Sequence, residues 1–390
     1  MRLWNTETRS LQPLETRAGP LGVYVCGITP YDTTHLGHAF TYIAVDVLIR
    51  TLRAAGREVR YVQNVTDVDD DIIKRSRELG TTWDQLATRE TGLYQADMAA
   101  LNVLPPDVFP RASQTIRKIV ELVSRLVAQG HAYVHDGNVY FRVRSVTDYG
   151  RLSGLPRDEM VRLSAQRGAD PNDPRKQDPL DFLLWQRSAP DEPHWSSPWG
   201  SGRPGWHIEC SAMALEHLGD QVDLHGGGAD LIYPHHESEI AQSESVTGVR
   251  PFARTWMHVG MLRYEGEKMS KSLRNLVLVR ELLPRFDADS IRVTLLRHHY
   301  RESWEYSEAA LRSAARWVAD LRRAASSATG AAGTGLSRIR GAMEDDLDTP
   351  RALDILEESV RAGDAGWQTG AEILGLQLGV APAQREAAVR

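Results

Sequence analysis

Several features are scarce in this 390-residue sequence, and each scarcity argues against a class of protein. There are two cysteines, Cys26 and Cys210, too few and too far apart for a disulfide-stabilised secreted scaffold. No apolar run reaches the roughly 18 residues of a membrane span, and MRLWNTETRS at the N-terminus lacks a signal-peptide core. Basic residues are not in excess, since 46 Lys and Arg face 52 Asp and Glu. We therefore predict a cytosolic enzyme with no membrane partner and no global basic field for nucleic acid.

The N-terminal part of the sequence predicts a βαβ unit. GVYVCG, residues 22–27, is a short apolar run typical of a buried strand. HAFTYIAVDVLIRTLRAAG has helical periodicity and stops at Gly56, and EVRYVQNV follows as a second strand. This order indicates a parallel sheet whose functional sites lie at the carboxyl ends of its strands.

The remaining sequence predicts an insertion and then a helical region. AYVHDGNVYFRV, residues 132–143, is typical of a hairpin with Asp-Gly at its turn. Residues 150–205 are rich in Pro, Asp, Arg and Gly, which favours a partly structured insertion over a site. QVDLHGGGADL predicts a strand and a Gly-rich turn. Helical patterns follow over residues 287–298, 306–326, 336–362 and 366–376.

Two short motifs suit the binding of an anion. His35-Leu36-Gly37-His38 is predicted at a helix N-terminus, where free N–H groups attract negative charge. Lys268-Met269-Ser270-Lys271-Ser272 places two point charges in one loop. Taken singly, each motif is equally compatible with a solvated surface.

In this order the motifs resemble those of the class I aminoacyl-tRNA synthetases. The HIGH motif of that family corresponds to residues 35–38, and its KMSKS motif corresponds to residues 268–272 without a departure. The resemblance implies that His35, His38, Lys268 and Lys271 bind ATP with Mg²⁺. It also implies that they stabilise the transition state as an amino-acid carboxylate attacks the α-phosphate.

A third constellation suits a metal ion. His235 and Glu239 lie four residues apart on a predicted helix and therefore share one face. With Cys26 and Cys210 they would complete a tetrahedral zinc site. From spacing alone, two buried cysteines and a surface His/Glu pair are the favoured interpretation.

The sequence further resembles the cysteinyl-tRNA synthetases, through YVCGITPYD, YVQNVTDVDD, PGWHIECSAMA and DLHGGGADLIYPHHESEIAQSE. That resemblance implies that Cys26, Cys210, His235 and Glu239 hold a zinc ion that binds the thiolate of substrate cysteine. It implies a wider set of residues that bind the amino acid and its adenylate: Gly27, Ile28, Thr29, Gly37, Thr41, Asn64, Val65, Thr66, Trp206, His225, Gly228, Ala229, Asp230, Leu262 and Met269. Within this set, Trp206 lines the side-chain pocket and Asp230 receives the ammonium group.

Several features depart from the tRNA enzymes and are similar to their paralogues, the cysteine ligases of mycothiol biosynthesis. These are GITPYD, NLVLV after the lysine loop, and AQRGADP, which matches an ERGGDP motif except at Gln166 and Ala169. His225 and Glu239 are features of the tRNA enzymes. The sequence also stops after one helical bundle, without room for an anticodon-binding domain.

We therefore expect a Rossmann-like α/β catalytic domain over residues 1–285, with an insertion at about 130–205, and a helical bundle over 286–390. The expected reaction activates L-cysteine with ATP and transfers it to the amine of glucosaminyl-inositol. The alternatives are a short cysteinyl-tRNA synthetase with tRNA as acceptor, and a non-catalytic paralogue that binds a nucleotide or cysteine. The sequence leaves the oligomeric state open.

Overall fold

The computed structural model describes residues 1–15, 19–31, 34–269, 275–326 and 333–378. Lys271 and the side chain of Lys268 lie outside the described part. Thirteen strands are found among these residues: β1 Arg2–Asn5, β2 Ser10–Pro13, β3 Leu21–Ile28, β4 Val59–Val65, β5 Ala132–His135, β6 Asn138–Phe141, β7 Phe182–Arg187, β8 Gly202–Pro204, β9 Val222–Gly228, β10 Ala253–Val259, β11 Leu262–Tyr264, β12 Glu267–Lys268 and β13 Trp304–Glu305.

The α-helices of the described residues follow the strands or form the C-terminal region. Their bounds are α1 Leu36–Ala54, α2 Asp70–Leu79, α3 Trp83–Ala100, α4 Ile116–Ala128, α5 Arg157–Gln166, α6 Trp206–Leu218, α7 Glu237–Thr247, α8 Val279–Leu282, α9 Ala288–Leu296, α10 Glu308–Ser326, α11 Gly335–Glu344, α12 Thr349–Arg361 and α13 Trp367–Ile373. None of the helices in these ranges combines the length and apolarity needed to cross a membrane.

A four-stranded parallel sheet in the order β10-β9-β3-β4 forms the centre of the catalytic region. Its strands are almost wholly buried because helices cover both faces, as parallel sheets require. The expected βαβ unit is thus confirmed as β3-α1-β4. One expectation is corrected: Gly226–Gly228 are not a turn but the last residues of β9, where they pair with Met257–Val259.

The insertion contains its own antiparallel sheet, in the order β5-β6-β7-β8. The expected hairpin is confirmed, since Asp136 and Gly137 both adopt positive φ angles between β5 and β6. Helix α5 lies in the same insertion and packs beside residues 232–236. The stretch 150–205, expected to be partly structured, contributes α5, β7 and β8 and otherwise consists of turns and irregular segments.

The C-terminal helices pack on α1 through apolar contacts and one buried ion pair. Asp46 of α1 accepts from Arg292 of α9 at 2.6 Å, and both side chains are fully buried. Arg292 also donates to the carbonyl oxygens of Leu101 and Leu374. This guanidinium therefore joins the catalytic region to the end of α13. The expected bundle is confirmed as α9 to α13, with Asp348 capping α12 at the Asp-Thr-Pro sequence.

Candidate active site and metal centre

The HLGH motif lies at the N-terminus of α1, as expected. His35 is the N-cap, and its Nδ1 accepts from the Gly37 N–H at 3.0 Å. The His35 and His38 rings stack with centroids 3.9 Å apart. A side chain at Gly37 would meet the His35 ring at 2.8 Å, so glycine permits this arrangement. Thr41 donates to the Gly37 carbonyl one turn later.

The lysine loop is anchored beside the same helix end at both of its sides. Lys268 ends β12, which pairs with β11, and Asn275 donates to the Tyr264 carbonyl at 3.1 Å. Beyond the loop, Leu278 bridges to His35, and the Leu36 N–H donates to the Val277 carbonyl. Residues 277–278, which follow the lysine motif in the chain, are therefore joined to the HLGH motif through the backbone. Leu262 and Met269, expected to contact the adenylate, have side chains buried in the apolar core.

Four expected metal ligands come together from three separate segments of the chain. One ligand atom from each of Cys26, Cys210, His235 and Glu239 lies within 4.8 Å of the others, and all four residues are buried. Cys26 lies near the carboxyl end of β3, Cys210 lies on α6, and Glu239 lies in the first turn of α7. Two thiols, an imidazole and a carboxylate form a donor set that zinc favours.

Burial opposes charge on Cys26, His235 and Glu239. Burial raises the pKa of Glu239 well above its usual range, although a hydrogen bond from Cys26 counteracts the effect. Burial, then Cys210 and Glu239, raise the pKa of the Cys26 thiol. Burial, with His207 and His225 nearby, lowers the pKa of His235. A divalent cation would favour the anionic thiolates and carboxylate and the neutral imidazole, so the donor set fits a metal.

An overlapping donor set includes two further histidines. Cys26, His225, His236 and Glu239 also bring their ligand atoms within 4.8 Å of one another. His225 was expected at the backbone of the bound amino acid. It lies deeper, with Nε2 3.3 Å from Glu239 and its ring stacked on Trp256. Its place against the carboxylate makes it a hydrogen-bonding partner of the expected metal ligands, and its expected contact with the bound amino acid stays a prediction.

A chain of hydrogen bonds leads from the cluster to the N-terminal hairpin. His236 Nε2 lies 3.3 Å from Cys26 Sγ, and its Nδ1 lies 2.7 Å from Nε2 of His258. His258 Nδ1 in turn lies 2.7 Å from the Thr6 hydroxyl. Such outer contacts fix the orientation and tautomer of rings near a metal. Gly227 leaves room for this packing, since a side chain there would lie 3.1 Å from the His236 ring.

The expected floor of the adenylate site is built from the ends of β3 and β4. The Gly27 N–H donates to Asn64 Oδ1 at 2.8 Å, and Asn64 Nδ2 donates to the Thr66 hydroxyl at 3.2 Å. The Thr66 N–H donates to the Ile28 carbonyl. A side chain at Gly27 would meet the Asn64 carbonyl at 1.6 Å, so only glycine fits. Val65 is fully buried, and Thr29 follows β3 directly.

The expected side-chain pocket lies at the N-terminus of α6. The Trp206 ring stacks on His235 with centroids 4.5 Å apart. His207 lies with Nδ1 3.0 Å from Nδ1 of His235, and burial lowers the pKa of His207 to about 3. Gly228 and Ala229 lead from β9 to Asp230, whose side chain is 26% exposed. Trp206, the expected pocket residue, therefore contacts His235 in space, whereas Asp230, expected to bind the ammonium group, precedes His235 in the same segment of the chain.

Glu209 is a buried carboxylate that the sequence analysis did not select. It is fully buried in the first turn of α6, and neither of its oxygens meets a hydrogen-bond partner among the described residues. Burial raises its pKa well above the usual range, with Cys210, Asp69 and Asp67 adding to the effect and the Thr66 hydroxyl only partly offsetting it. A buried acid this short of partners is costly, which marks the first turn of α6 as part of the site.

Comparisons with known proteins agree with this geometry. The sequence profile of the family described as "tRNA synthetases class I (C) catalytic domain" matches residues 12–316. Among curated proteins, L-cysteine:1D-myo-inositol 2-amino-2-deoxy-alpha-D-glucopyranoside ligase of Acidothermus cellulolyticus is 47% identical over 91% of this chain and 88% of its own. The chain belongs to the class I (C) tRNA synthetase family, in the branch of these ligases. The ligase of the same description from Rhodococcus jostii is 48% identical over 92% of this chain and 87% of its own.

Solved structures of the wider synthetase family share the fold. Mycobacterium tuberculosis methionyl-tRNA synthetase in complex with methionyl-adenylate aligns with a TM-score of 0.65 and 20% identity. The alignment covers 95% of this chain and 96% of that one. The expected family and fold class are therefore confirmed: a parallel-sheet catalytic region followed by helices.

Proposed function

We propose that this protein is an ATP-dependent, AMP-forming ligase of L-cysteine. It activates cysteine as cysteinyl-adenylate and transfers it to the amine of 1D-myo-inositol 2-amino-2-deoxy-alpha-D-glucopyranoside. The observation that carries the choice of amino acid is the buried donor set of Cys26, Cys210, His235 and Glu239 beside the adenylate floor. The choice of acceptor is supported by the ligases of that description, which are similar to nearly the whole chain.

The four donors would select a thiol substrate through the zinc ion that they would hold. When bound, a zinc ion in this site supplies a soft Lewis acid that prefers a thiolate to the hydroxyl of serine. The residues around it orient the donors: Trp206 and His207 fix the His235 ring, and His236 contacts Cys26. Burial of the whole cluster excludes water, so a single contact can discriminate strongly between the two amino acids.

In the first half-reaction, a cysteine carboxylate oxygen attacks the α-phosphorus of Mg-ATP. A new P–O bond forms, and the bond to the β-phosphate breaks and releases pyrophosphate. His35 and His38 at the α1 N-terminus, with Lys268 and Lys271, would stabilise charge on the phosphates. Asp230 would hold the ammonium group, and Thr66 would hold the carboxylate end. These residues act by positioning and electrostatics, without a covalent intermediate on a side chain.

In the second half-reaction, the acceptor amine attacks the adenylate carbonyl. A C–N bond forms, the bond to AMP breaks, and the amine releases a proton. AMP carries away the electron pair of the broken bond. The product is an amide between cysteine and the amino sugar.

An acceptor assay tests the proposal. The protein receives ATP, Mg²⁺, Zn²⁺ and labelled cysteine, with either glucosaminyl-inositol or cysteine tRNA in parallel reactions. We expect label on the amino sugar and none on the tRNA. Label on tRNA would identify a tRNA synthetase instead, and failure of cysteine-dependent ATP–pyrophosphate exchange would favour a non-catalytic paralogue.

A further inference from the structure

Arg167 brings the insertion into contact with the expected amino-acid site. It is the C-cap of α5, and its Nη2 donates to the Asp230 carbonyl at 3.3 Å. Its Nη1 lies 3.8 Å from the Asp230 carboxylate. Gly168 follows with φ of +92°, and the Ala169 N–H bonds back to the Ser164 carbonyl, which ends the helix. The guanidinium thus contacts the residue assigned above to the ammonium group of cysteine.

A packed helix and not a free loop sets the position of Arg167. One turn before it, the Ser164 hydroxyl lies 2.8 Å from the Tyr233 hydroxyl. Tyr233 also donates to the Met160 carbonyl at 3.1 Å and is itself buried. Because Tyr233 lies between Asp230 and His235 in the chain, α5 is docked on the segment that carries both. Side chains held in this way recognise ligands more accurately than those on loops.

Exposure increases from the expected metal ligands to Asp230 and then to Arg167. Glu239 is fully buried, the Asp230 side chain is 26% exposed, and the Arg167 side chain is 36% exposed. The deep end of the site is filled by histidine and tryptophan rings. A second substrate that must reach the adenylate carbonyl therefore arrives from the side on which Asp230 and Arg167 lie.

The chemistry of Arg167 suits a hydroxyl-rich acceptor. A guanidinium has five N–H donors in a planar fork, and its two contacts with Asp230 use only part of that capacity. Ring hydroxyls offer oxygen acceptors, and a charged donor makes the stronger kind of hydrogen bond to them. Asp230 compensates the positive charge, so the guanidinium can bind a neutral polyol without attracting free phosphate strongly.

We propose that Arg167 is a specificity-determining residue of the second half-reaction, which binds hydroxyl groups of the amino-sugar acceptor while Asp230 orients it. This inference rests on the proposed function. A purely structural ion pair between Arg167 and Asp230 would instead disturb cysteine binding, and thus both half-reactions.

The test separates the two half-reactions in Arg167→Gln, with Arg162→Gln as a matched control. Arg162 lies on the same helix, pairs with exposed Glu159, and has no described contact with Asp230. ATP–pyrophosphate exchange with cysteine should stay within about twofold of the wild type for both variants. Capture of the adenylate by hydroxylamine, an amine without ring hydroxyls, should also be unchanged.

With glucosaminyl-inositol, the KM of Arg167→Gln should rise about tenfold or more, the effect of losing one charged hydrogen bond. Arg167→Lys, which keeps the charge but loses the fork, should be intermediate. The role of Arg167 would be overturned, but not the proposed function, by either of two results. One is an unchanged KM for the acceptor; the other is a loss in ATP–pyrophosphate exchange and hydroxylamine capture as large as the loss with the sugar. A wild-type enzyme that fails to use the sugar would overturn the proposed function and this inference with it.

Discussion

Two buried polar clusters of this protein differ in how far their groups are satisfied. Around Asp46, the carboxylate accepts from Arg292, Arg50 and the Leu104 N–H, and Arg292 finds further acceptors in backbone carbonyls. Around Cys26, thiols, imidazoles and carboxylates crowd together without a cation or a charged donor among the described residues. In the first cluster the charges are paired within the protein, whereas in the second the thiol, carboxylate and imidazole groups contact one another without a cationic partner among the described residues.

The pairing of charges distinguishes a structural cluster from a functional one better than the degree of burial does. Both clusters are almost fully buried, so exposure alone would not distinguish them. Buried acidic groups without a positive partner cost free energy when they ionise, and such groups persist where a metal or substrate supplies that charge. The Asp46 cluster should therefore govern stability and the Cys26 cluster activity.

The largest effect is expected from Cys210→Ser, which removes one donor of the metal set. Zinc binding should be lost, and cysteine-dependent ATP–pyrophosphate exchange should fall by more than the ~10–100-fold that loss of an outer-shell partner costs. Metal content by plasma emission spectrometry and the exchange rate with cysteine or serine check this. Retained zinc together with retained preference for cysteine would show that these residues do not form the selective site.

The opposite pattern is expected from Arg292→Met, which leaves the Asp46 carboxylate buried without its main partner. Breaking such a pair costs about 3–5 kcal/mol in the free energy of unfolding. Urea titration followed by circular dichroism measures it, and exchange activity below the transition should remain. The control is Arg338→Met, whose exposed pair with Glu358 should contribute under about 1 kcal/mol. Equal shifts in the two variants would contradict the comparison.

Much of this arrangement could be predicted from the sequence, because local signals determine where helices begin and which residues share a helix face. The HLGH motif does begin a helix, and the acidic sequence DVDDD, residues 67–71, favours a helix cap, which Asp69 provides for α2. The pairing of His235 with Glu239 followed from helical spacing, and their side chains lie 3.8 Å apart. The meeting of Cys26 and Cys210 with that pair came from the family resemblance, since no local rule joins segments so far apart.

The residues that sequence reasoning missed are fixed by tertiary contacts. His258 faces His236 because β10 pairs with β9, and Thr6 reaches His258 because the N-terminal hairpin packs on β10. Glu209 is adjacent to Cys210 in the chain, yet its lack of partners is visible only in the folded protein. The adjacent histidines of PHHESE and the single histidine of WMHVG were the available signals, and helical spacing selected only His235 of the adjacent pair.

A smaller effect on the same cluster is expected from Thr6→Val, which removes the hydroxyl at the end of the chain through His258 and His236. The two rings then lose their fixed orientation near Cys26, and zinc affinity should fall by about tenfold. Competition with a chromophoric chelator measures the affinity. Thr8→Val is a matched control, since its hydroxyl bonds to Ser10 and is remote from the histidines. Identical affinities in the two variants would exclude a role for the hairpin.

The smallest effect concerns Asp69. Its carboxylate caps α2, as a structural residue would, but the neighbouring carboxylates of Asp70 and Asp71 oppose its ionisation. Burial raises its pKa to about 6, with Asp71 and Asp70 adding to the effect and the bond from the Asp71 N–H opposing it. The folded state therefore binds more protons than the unfolded state between pH 3.8 and 6. The stability that Asp69 contributes is thus present at low pH and declines as pH rises through this window.

Asp69→Asn keeps the cap without the charge, so it should raise the Tm by a few degrees at pH 7.5 and leave it unchanged at pH 3.5. Asp69→Ala loses the cap and should lower the Tm at both pH values. If Asp69→Asn lowered the Tm at pH 7.5, the ionised carboxylate would be stabilising there, and this part of the site would already be electrostatically complete.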